Sequence, residues 1–209
     1  MHPVNYEILP LGSAKVEILA SPTSADNLNN TSIILKVAHG NKSFLFTGDA
    51  EREEEQDIIN AGYDLSADVL KVGHHGSDSS TSYTFLREVM PEYAVISVGK
   101  DNSYGHPTEA VLSRLRDADV KVYRTNLQGD IIMSSDGENI TVTTAKNENI
   151  QTNETQAEIS EETYIGNKNS KKFHRLSCNT LPAEKNRVYF NSRDEAIKNG
   201  FTGCGNCQP

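Results

Sequence analysis

The chain has no long hydrophobic run and few cysteines, and these absences exclude several classes of protein. No apolar stretch approaches the roughly 20 residues that a bilayer-spanning helix needs. Met1 is not followed by the apolar segment of a signal peptide. Three cysteines in 209 residues are an odd number, which argues against a pure disulfide framework. The sequence therefore indicates a chain with neither a membrane span nor an export signal of its own. If an export signal preceded this segment in a longer protein, we would expect an extracellular or cell-surface location.

Charge is unevenly distributed along the chain. From Tyr164 onward, eight Lys and Arg residues oppose three Asp and Glu residues, a formal charge of +5. Because the whole chain carries −9, residues 1–163 carry −14. This asymmetry favours contact between the C-terminal region and a polyanion, although a purely solubilising charge distribution would look the same.

Short apolar runs alternate with polar, helix-like segments, which predicts an α/β fold. Residues 146–163 have almost no apolar content and predict a flexible linker. We therefore predict a domain over residues 1–145, the linker, and a second small domain over residues 164–209. The predicted strands cover residues 16–19, 32–38, 43–47, 67–72, 93–98, 120–123, 130–134 and 140–143, and the predicted helices cover residues 49–60, 81–89 and 108–117.

One heptapeptide is poor material for a protein core and good material for a metal site. Residues 71–77 (KVGHHGS) follow an apolar run that we interpret as a buried strand. Histidine is costly to bury without hydrogen bonds, and neutral imidazole is a common ligand of zinc-like ions. Asp49 ends a second predicted strand, and His106 lies in a Gly/Pro-marked loop after a third. Asp and His side chains at three strand ends predict a metal-dependent hydrolase.

In this order the segments resemble the metallo-β-lactamase superfamily, and within it the C-terminal soluble domain of ComEC-type DNA-uptake proteins. The superfamily's first metal motif, His-x-His-x-Asp-His, is absent from the chain. The resemblance therefore implies the second half of an αββα sandwich, in a truncated or split hydrolase. It rests on Asn-x-Ser at 30–32, Thr-Gly-Asp at 47–49, Leu-Lys-Val-Gly-His-His-Gly-Ser at 70–77, Val-Ile-Ser-Val-Gly at 95–99, Asn-x-Tyr-Gly-His-Pro at 102–107 and Val-Tyr-Arg-Thr at 122–125.

The resemblance implies one or two zinc or manganese ions that make hydroxide from bound water. Asp49 would contact or bridge the ions, with a helix N-cap as its structural alternative. His75 would be a ligand and His74 the proton-handling partner, unless both are packed structural histidines. His106 would complete the metal site or contact the scissile phosphate, and the alternative is that it braces its loop.

Further polar residues flank this predicted site. Ser77, Asn102 and Tyr104 could donate hydrogen bonds to phosphate oxygens. Asn30 stands where other branches of the superfamily carry a metal-ligating histidine, which leaves a second metal ion in question.

The C-terminal domain contains all three cysteines in a zinc-like pattern. His174 and Cys178 are separated by three residues, and Cys204 and Cys207 by two, which gives one nitrogen and three sulfur ligands. The alternative is a redox Cys-x-x-Cys pair with an unrelated third cysteine. The segment resembles the metal-binding domain of Ada-type DNA alkylation-repair proteins, in which the first ligand is a methyl-accepting cysteine. Because His174 occupies that place, we expect structural zinc and no methyl transfer.

Two functional classes follow from these observations. The first is a metal-dependent phosphodiesterase or nuclease acting on DNA in bacterial competence, with the zinc domain assisting DNA contact. The second is a non-catalytic metal- and DNA-binding fragment, inert because the His-x-His-x-Asp-His half is missing. An esterase of the phosphocholine or lactone type is a third reading, since fold does not fix function. A homodimer or a complementing N-terminal half are the predicted protein partners.

Overall fold

The structure, a computed structural model, forms two compact units, Met1–Asn153 and Glu154–Pro209. It describes residues 7–20, 22, 26–147, 150, 152–153, 164–176, 178–190 and 193–207. Both units mix strands and helices, so the predicted α/β class is confirmed. No helix in these ranges is long and apolar enough to cross a membrane.

A seven-stranded sheet in sequential order dominates the first unit. Its first four strands pair antiparallel and the last three extend it in parallel. Because parallel neighbours need crossover connections, a helix lies between each pair of parallel strands in the sequence. The strands are β1 (Ile8–Leu11), β2 (Ala14–Ala20), β3 (Ile34–His39), β4 (Lys42–Phe46), β5 (Val69–Lys71), β6 (Tyr93–Ile96) and β7 (Lys121–Arg124).

The crossover helices are α1 (Arg52–Asn60), α2 (Tyr83–Val89) and α3 (Glu109–Asp117), and a short α4 (Thr125–Gln128) follows β7. Their apolar sides pack on the sheet, and the largest fully buried core side chains include Phe85, Ile34, Leu45, Leu70 and Ile96. The parallel arrangement places the carboxyl ends of β4, β5 and β6 along one edge, where the loops carry the predicted site residues.

Most predicted elements exist, with shifted boundaries. The first predicted helix begins at Arg52 rather than at Asp49, and its N-cap is Glu51. The N-cap interpretation of Asp49 is therefore wrong, because five residues, 47–51, separate the strand from the helix and the last of them is the N-cap. The sequence also failed to predict β1, a strand whose four residues are all exposed and therefore carry no burial pattern.

A two-stranded antiparallel hairpin, β8 (Ile131–Ser135) and β9 (Ile140–Thr144), follows the sheet. Beyond it, residues 148–149, 151 and 154–163 of the predicted linker lie outside the described residues. Thr152 is described and buried, and its carbonyl accepts a hydrogen bond from Arg124 at 3.1 Å. This part of the predicted linker packs against the first unit.

The second unit is built on a four-stranded sheet in the order β12-β10-β11-β13. Its strands are β10 (Tyr164–Asn167), β11 (Lys172–Arg175), β12 (Arg187–Phe190) and β13 (Thr202–Gly203), and its helix is α5 (Arg193–Lys198). Phe173, Phe190, Ala196 and Phe201 form a small core. So few apolar side chains rarely stabilise a domain of this size without a metal or disulfide.

Candidate metal centres

The histidine pair occupies a strained turn directly after β5. His74 and His75 both have left-handed backbone conformations, with φ of 45° and 54°. A left-handed residue other than glycine costs roughly 1–2 kcal/mol. Gly76 follows with φ of 86°, and a Cβ there would lie 2.6 Å from Pro107 Cβ. The turn thus directs two adjacent imidazoles to the sheet edge at an energetic cost that the surrounding packing must offset.

Asp49 and His75 face each other across the loops after β4 and β5. Asp49 Oδ1 lies 3.6 Å from His75 Nε2, and the two side chains are 42% and 50% exposed. The backbone N–H of Asp49 donates to Ser32 Oγ at 3.0 Å, which fixes the start of its turn. On the other side of the imidazole, His75 Nδ1 donates to the Ser97 carbonyl at 2.7 Å.

This geometry fits a metal ion held by Asp49 and His75. Because a carbonyl only accepts hydrogen bonds, Nδ1 carries a proton, and Nε2 is the ring nitrogen that faces Asp49. Such a backbone partner for the second ring nitrogen is typical of metal-ligating histidines. Two ligand atoms about 2.1 Å from a tetrahedral zinc are separated by about 3.4 Å, close to the observed distance.

His74 has a different partner, which the sequence reasoning missed. Its Nδ1 lies 3.2 Å from Oε1 of Glu51, and both side chains are about three-quarters buried or more. The amide groups of Asn29 and Asn27 donate to the Glu51 carboxylate at 2.9 and 2.8 Å. The hydrogen bond from Asn29 is the largest cause of a lowered pKa of Glu51, so this carboxylate stays ionised. An ionised carboxylate orients His74 as it would a proton-transferring histidine.

His106 is the third histidine of the site and packs edge-on to His74, with ring centroids 5.8 Å apart. Its Nδ1 is buried and has no hydrogen-bond partner among the described residues. Burial, followed by the nearby His74 and His75, lowers the pKa of His106 below its ordinary value. His106 is therefore a neutral imidazole with one buried nitrogen that lacks a hydrogen-bond partner among the described residues.

The loop that carries His106 is held by Asn102. Its amide nitrogen donates to the carbonyls of Gly99 and His106, and its oxygen accepts from the His106 backbone N–H. The Asn102 side chain is therefore engaged in positioning His106. Tyr104 projects from the same loop and stacks on His106, and Ser77 Oγ lies 2.9 Å from Ser79 Oγ.

An open cleft of about 430 Å³ adjoins these groups. Its volume lies in the range of about 300–1,000 Å³ found for small-ligand sites. The walls include His75, Asn102, Tyr104, His106 and Thr125.

Asn30 forms hydrogen bonds with the start of the segment that carries α1. Its side-chain oxygen accepts from the Glu51 backbone N–H at 2.9 Å, and its amide nitrogen donates to Glu53 at 3.1 Å. It therefore helps to hold the turn that carries Glu51. Glu51 itself has only one sequence signal, its position two residues after Asp49.

The second unit assembles the predicted zinc ligands. Ligand atoms of His174, Cys178, Cys204 and Cys207 all lie within 4.8 Å of one another. Thiolates bound to one zinc at about 2.3 Å are about 3.8 Å apart, so the set fits a tetrahedral ion. It is the one group of three or more candidate ligands found in the described ranges. In the first unit Asp49 and His75 form a pair, and no third candidate ligand among the described residues lies close enough to complete such a group.

The environment of the cysteine cluster acts in opposite directions on two of its thiols, since burial raises the pKa of Cys207 while hydrogen bonds lower that of Cys204. Hydrogen bonds lower the pKa of Cys204 to about 7, and the backbone N–H of Asn206 is the largest cause. Burial lowers the pKa of His174, which keeps the imidazole neutral and able to ligate. Thr180 Oγ1 lies 3.2 Å from Cys178 Sγ and 3.8 Å from Cys204 Sγ. These contacts support the thiolates from outside the ligand set, as in structural zinc sites.

Comparison with known proteins bears on both units. Residues 142–209 match the family model described as the metal binding domain of Ada. The chain is 40% identical over 127 residues to ComE operon protein 3 of Bacillus subtilis, which is 60% of this chain and 16% of that protein. It is 43% identical over 111 residues to competence protein ComA of Neisseria gonorrhoeae, 52% of this chain and 16% of that protein.

A third relative is recombination protein 2 of Haemophilus influenzae, 41% identical over 109 residues, covering 52% of this chain and 13% of that protein. The chain thus spans 16% or less of each of these three curated relatives. Over part of its length the chain is similar to competence proteins, and its C-terminal residues are similar to the metal binding domain of Ada.

Proposed function

We propose that the first unit is the second half of a metallo-β-lactamase-type phosphodiesterase that acts on DNA in a DNA-uptake context. The pairing of Asp49 with a His75 ring oriented by the Ser97 carbonyl carries the proposal. The names of the relatives, competence and recombination proteins, support DNA as the substrate. A bound ion would activate water and polarise the phosphodiester.

The residues of this chain have separable roles in such a reaction. Asp49 and His75 hold the ion from the ends of β4 and β5. His74, oriented by Glu51 at 3.2 Å, transfers a proton at its other nitrogen. His106, kept neutral by burial, offers a hydrogen bond to a phosphate oxygen or a further ligand to the ion. The C-terminal unit holds structural zinc and adds a basic surface for the DNA backbone.

A metal- and DNA-binding role without catalysis is the second candidate. One observation favours it: within the described residues, the Cys/His cluster of the second unit is the one group of three or more ligands. On this reading the first unit needs a complementing half or a second copy of the chain to complete a metal site.

Metal content and hydrolysis distinguish the two candidates. The purified full chain is analysed for zinc and manganese and assayed on single-stranded DNA and on a lactone ester. Asp49→Asn and His75→Ala are the test variants. His39→Ala is the matched control, because His39 lies at the far end of β3 with its Nε2 3.0 Å from Ser13 Oγ.

We expect more than one ion per chain, with metal-dependent DNA cleavage that both test variants abolish and the control retains. A single zinc in every variant, with no cleavage, would refute the hydrolase and support the non-catalytic role. Cleavage of the lactone ester alone would refute DNA as the substrate.

A further inference from the structure

Tyr104 is the most exposed aromatic side chain at the site, with 81% of its surface accessible. Its ring lies nearly parallel to that of His106, at 19° and with centroids 5.9 Å apart. No hydrogen bond holds its hydroxyl within the part of the chain that the structure describes. Such exposure means that the ring contributes little to the hydrophobic core. Its orientation is set on one face by stacking on the His106 ring.

The position of Tyr104 links the cleft to the predicted reacting groups. The ring is one wall of the cleft of about 430 Å³, together with His75 and His106. The ring of His106 in turn packs edge-on to that of His74, with the two ring centroids 5.8 Å apart. The buried, unpartnered Nδ1 of His106 belongs to the same group of side chains. A ligand in the cleft would meet an aromatic face beside the imidazoles of His75 and His106, and His75 in turn faces Asp49.

The orientation of the ring suggests what it binds. One face of Tyr104 lies against His106, and the exposure of the side chain leaves the other face open. Bases of single-stranded nucleic acid stack on such aromatic faces whatever their sequence, because every base has a π-face. In a duplex the bases are already paired and stacked, so they are not available to a ring of this kind.

We propose that Tyr104 is a stacking platform for one base of single-stranded DNA, which positions the neighbouring phosphodiester at Asp49 and His75. This inference rests on the proposed function and narrows its substrate to single strands. It assigns the work to the ring of Tyr104, whereas the sequence reasoning expected its hydroxyl to contact phosphate. Tyr104 acts as a binding and positioning residue rather than in proton transfer.

Equilibrium binding to the full chain tests the inference without requiring catalysis. The probes are a short fluorescent oligothymidylate and an abasic strand of the same length and charge. Tyr104→Phe keeps the ring and removes the hydroxyl, and Tyr104→Ala removes both. Binding through phosphates, including any contribution from the basic second unit, is common to both probes. The ratio of the two affinities therefore isolates base contacts.

We expect the wild-type protein and Tyr104→Phe to prefer the base-bearing strand by about tenfold, and Tyr104→Ala to lose that preference. An equal loss in Tyr104→Phe would show that the hydroxyl does the work and would overturn stacking. An unchanged ratio in Tyr104→Ala would overturn it as well. A failure of the proposed hydrolase function would be seen differently. Neither strand would then be cleaved, and the ratio of the two affinities would be unchanged.

Discussion

Glu54 should make the stability of the first unit fall as pH rises through neutrality. This residue of α1 is only 4% exposed, and neither carboxylate oxygen has a hydrogen-bond partner among the described residues. It lines a cavity of about 300 Å³ together with Asp57 and Ile58. Burial, and secondarily the charge of Asp57, raises the pKa of Glu54 to about 8. The folded protein therefore holds a proton here that the unfolded chain releases near pH 4.5.

The sign and size of the effect follow from that difference. A carboxyl whose folded pKa lies above its unfolded value contributes stability at low pH and loses it as pH rises through the folded pKa. The loss is about 1.4 kcal/mol per pH unit between the unfolded and the folded pKa values, where only the folded state holds the proton. Because half of Glu54 is ionised near pH 8, the loss between about pH 6 and pH 8 is about 2.3 kcal/mol.

The comparison variant is Glu54→Gln, which keeps the shape and cannot ionise, and Glu88→Gln on the exposed side of α2 is the control. Urea unfolding of the full chain is followed by hydrogen–deuterium exchange of peptides from β5 and β6, which report on the first unit alone. We expect the wild type and Glu88→Gln to lose about 2 kcal/mol more than Glu54→Gln over this interval. Parallel pH profiles for the wild type and Glu54→Gln would refute the assignment of a neutral buried carboxyl.

Three other outcomes follow from the structure. Gly76→Ala should lower the stability of the first unit by about 2 kcal/mol or more, because a Cβ would clash with Pro107 in a left-handed turn. Thermal unfolding measures this loss, and an unchanged unfolding midpoint would contradict the turn geometry. Cys204→Ser should release zinc and remove exchange protection from β10–β13 while leaving β4–β6 protected; retained zinc would exclude Cys204 as a ligand. Glu51→Gln should slow DNA cleavage at least about tenfold with metal content unchanged, since it weakens the orientation of His74; an unchanged rate would remove His74 from proton transfer.

Local pattern was sufficient for most of the fold and for the ligands of the second unit. Alternating and apolar runs located β2 to β9 and the crossover helices, because burial imposes those patterns on the sequence. The spacing of His174, Cys178, Cys204 and Cys207 predicted a cluster that the structure brings within 4.8 Å. Exposed elements such as β1 have no burial pattern and were missed.

The partners of the histidines in the first unit were not predictable from pattern. Glu51 lies 23 residues before His74, and its carboxylate reaches Nδ1 only because β4 and β5 are parallel neighbours. The tautomer of His75 likewise depends on a carbonyl at the end of β6, Ser97. The burial of Glu54 also depends on tertiary structure, since a run of glutamates on a helix gives no sign that Glu54 and Glu55 are the buried ones.

By itself, the sequence determined which side chains can act as metal ligands and at which strand ends they occur. That information is local, since it depends on residue type and on the periodicity of the neighbouring residues. Only the tertiary structure decided which nitrogen of His75 is free, which carboxylate orients His74 and how Tyr104 meets the cleft. These properties depend on distances of a few ångströms between segments far apart in the chain, and the pairing and packing of the sheet set those distances.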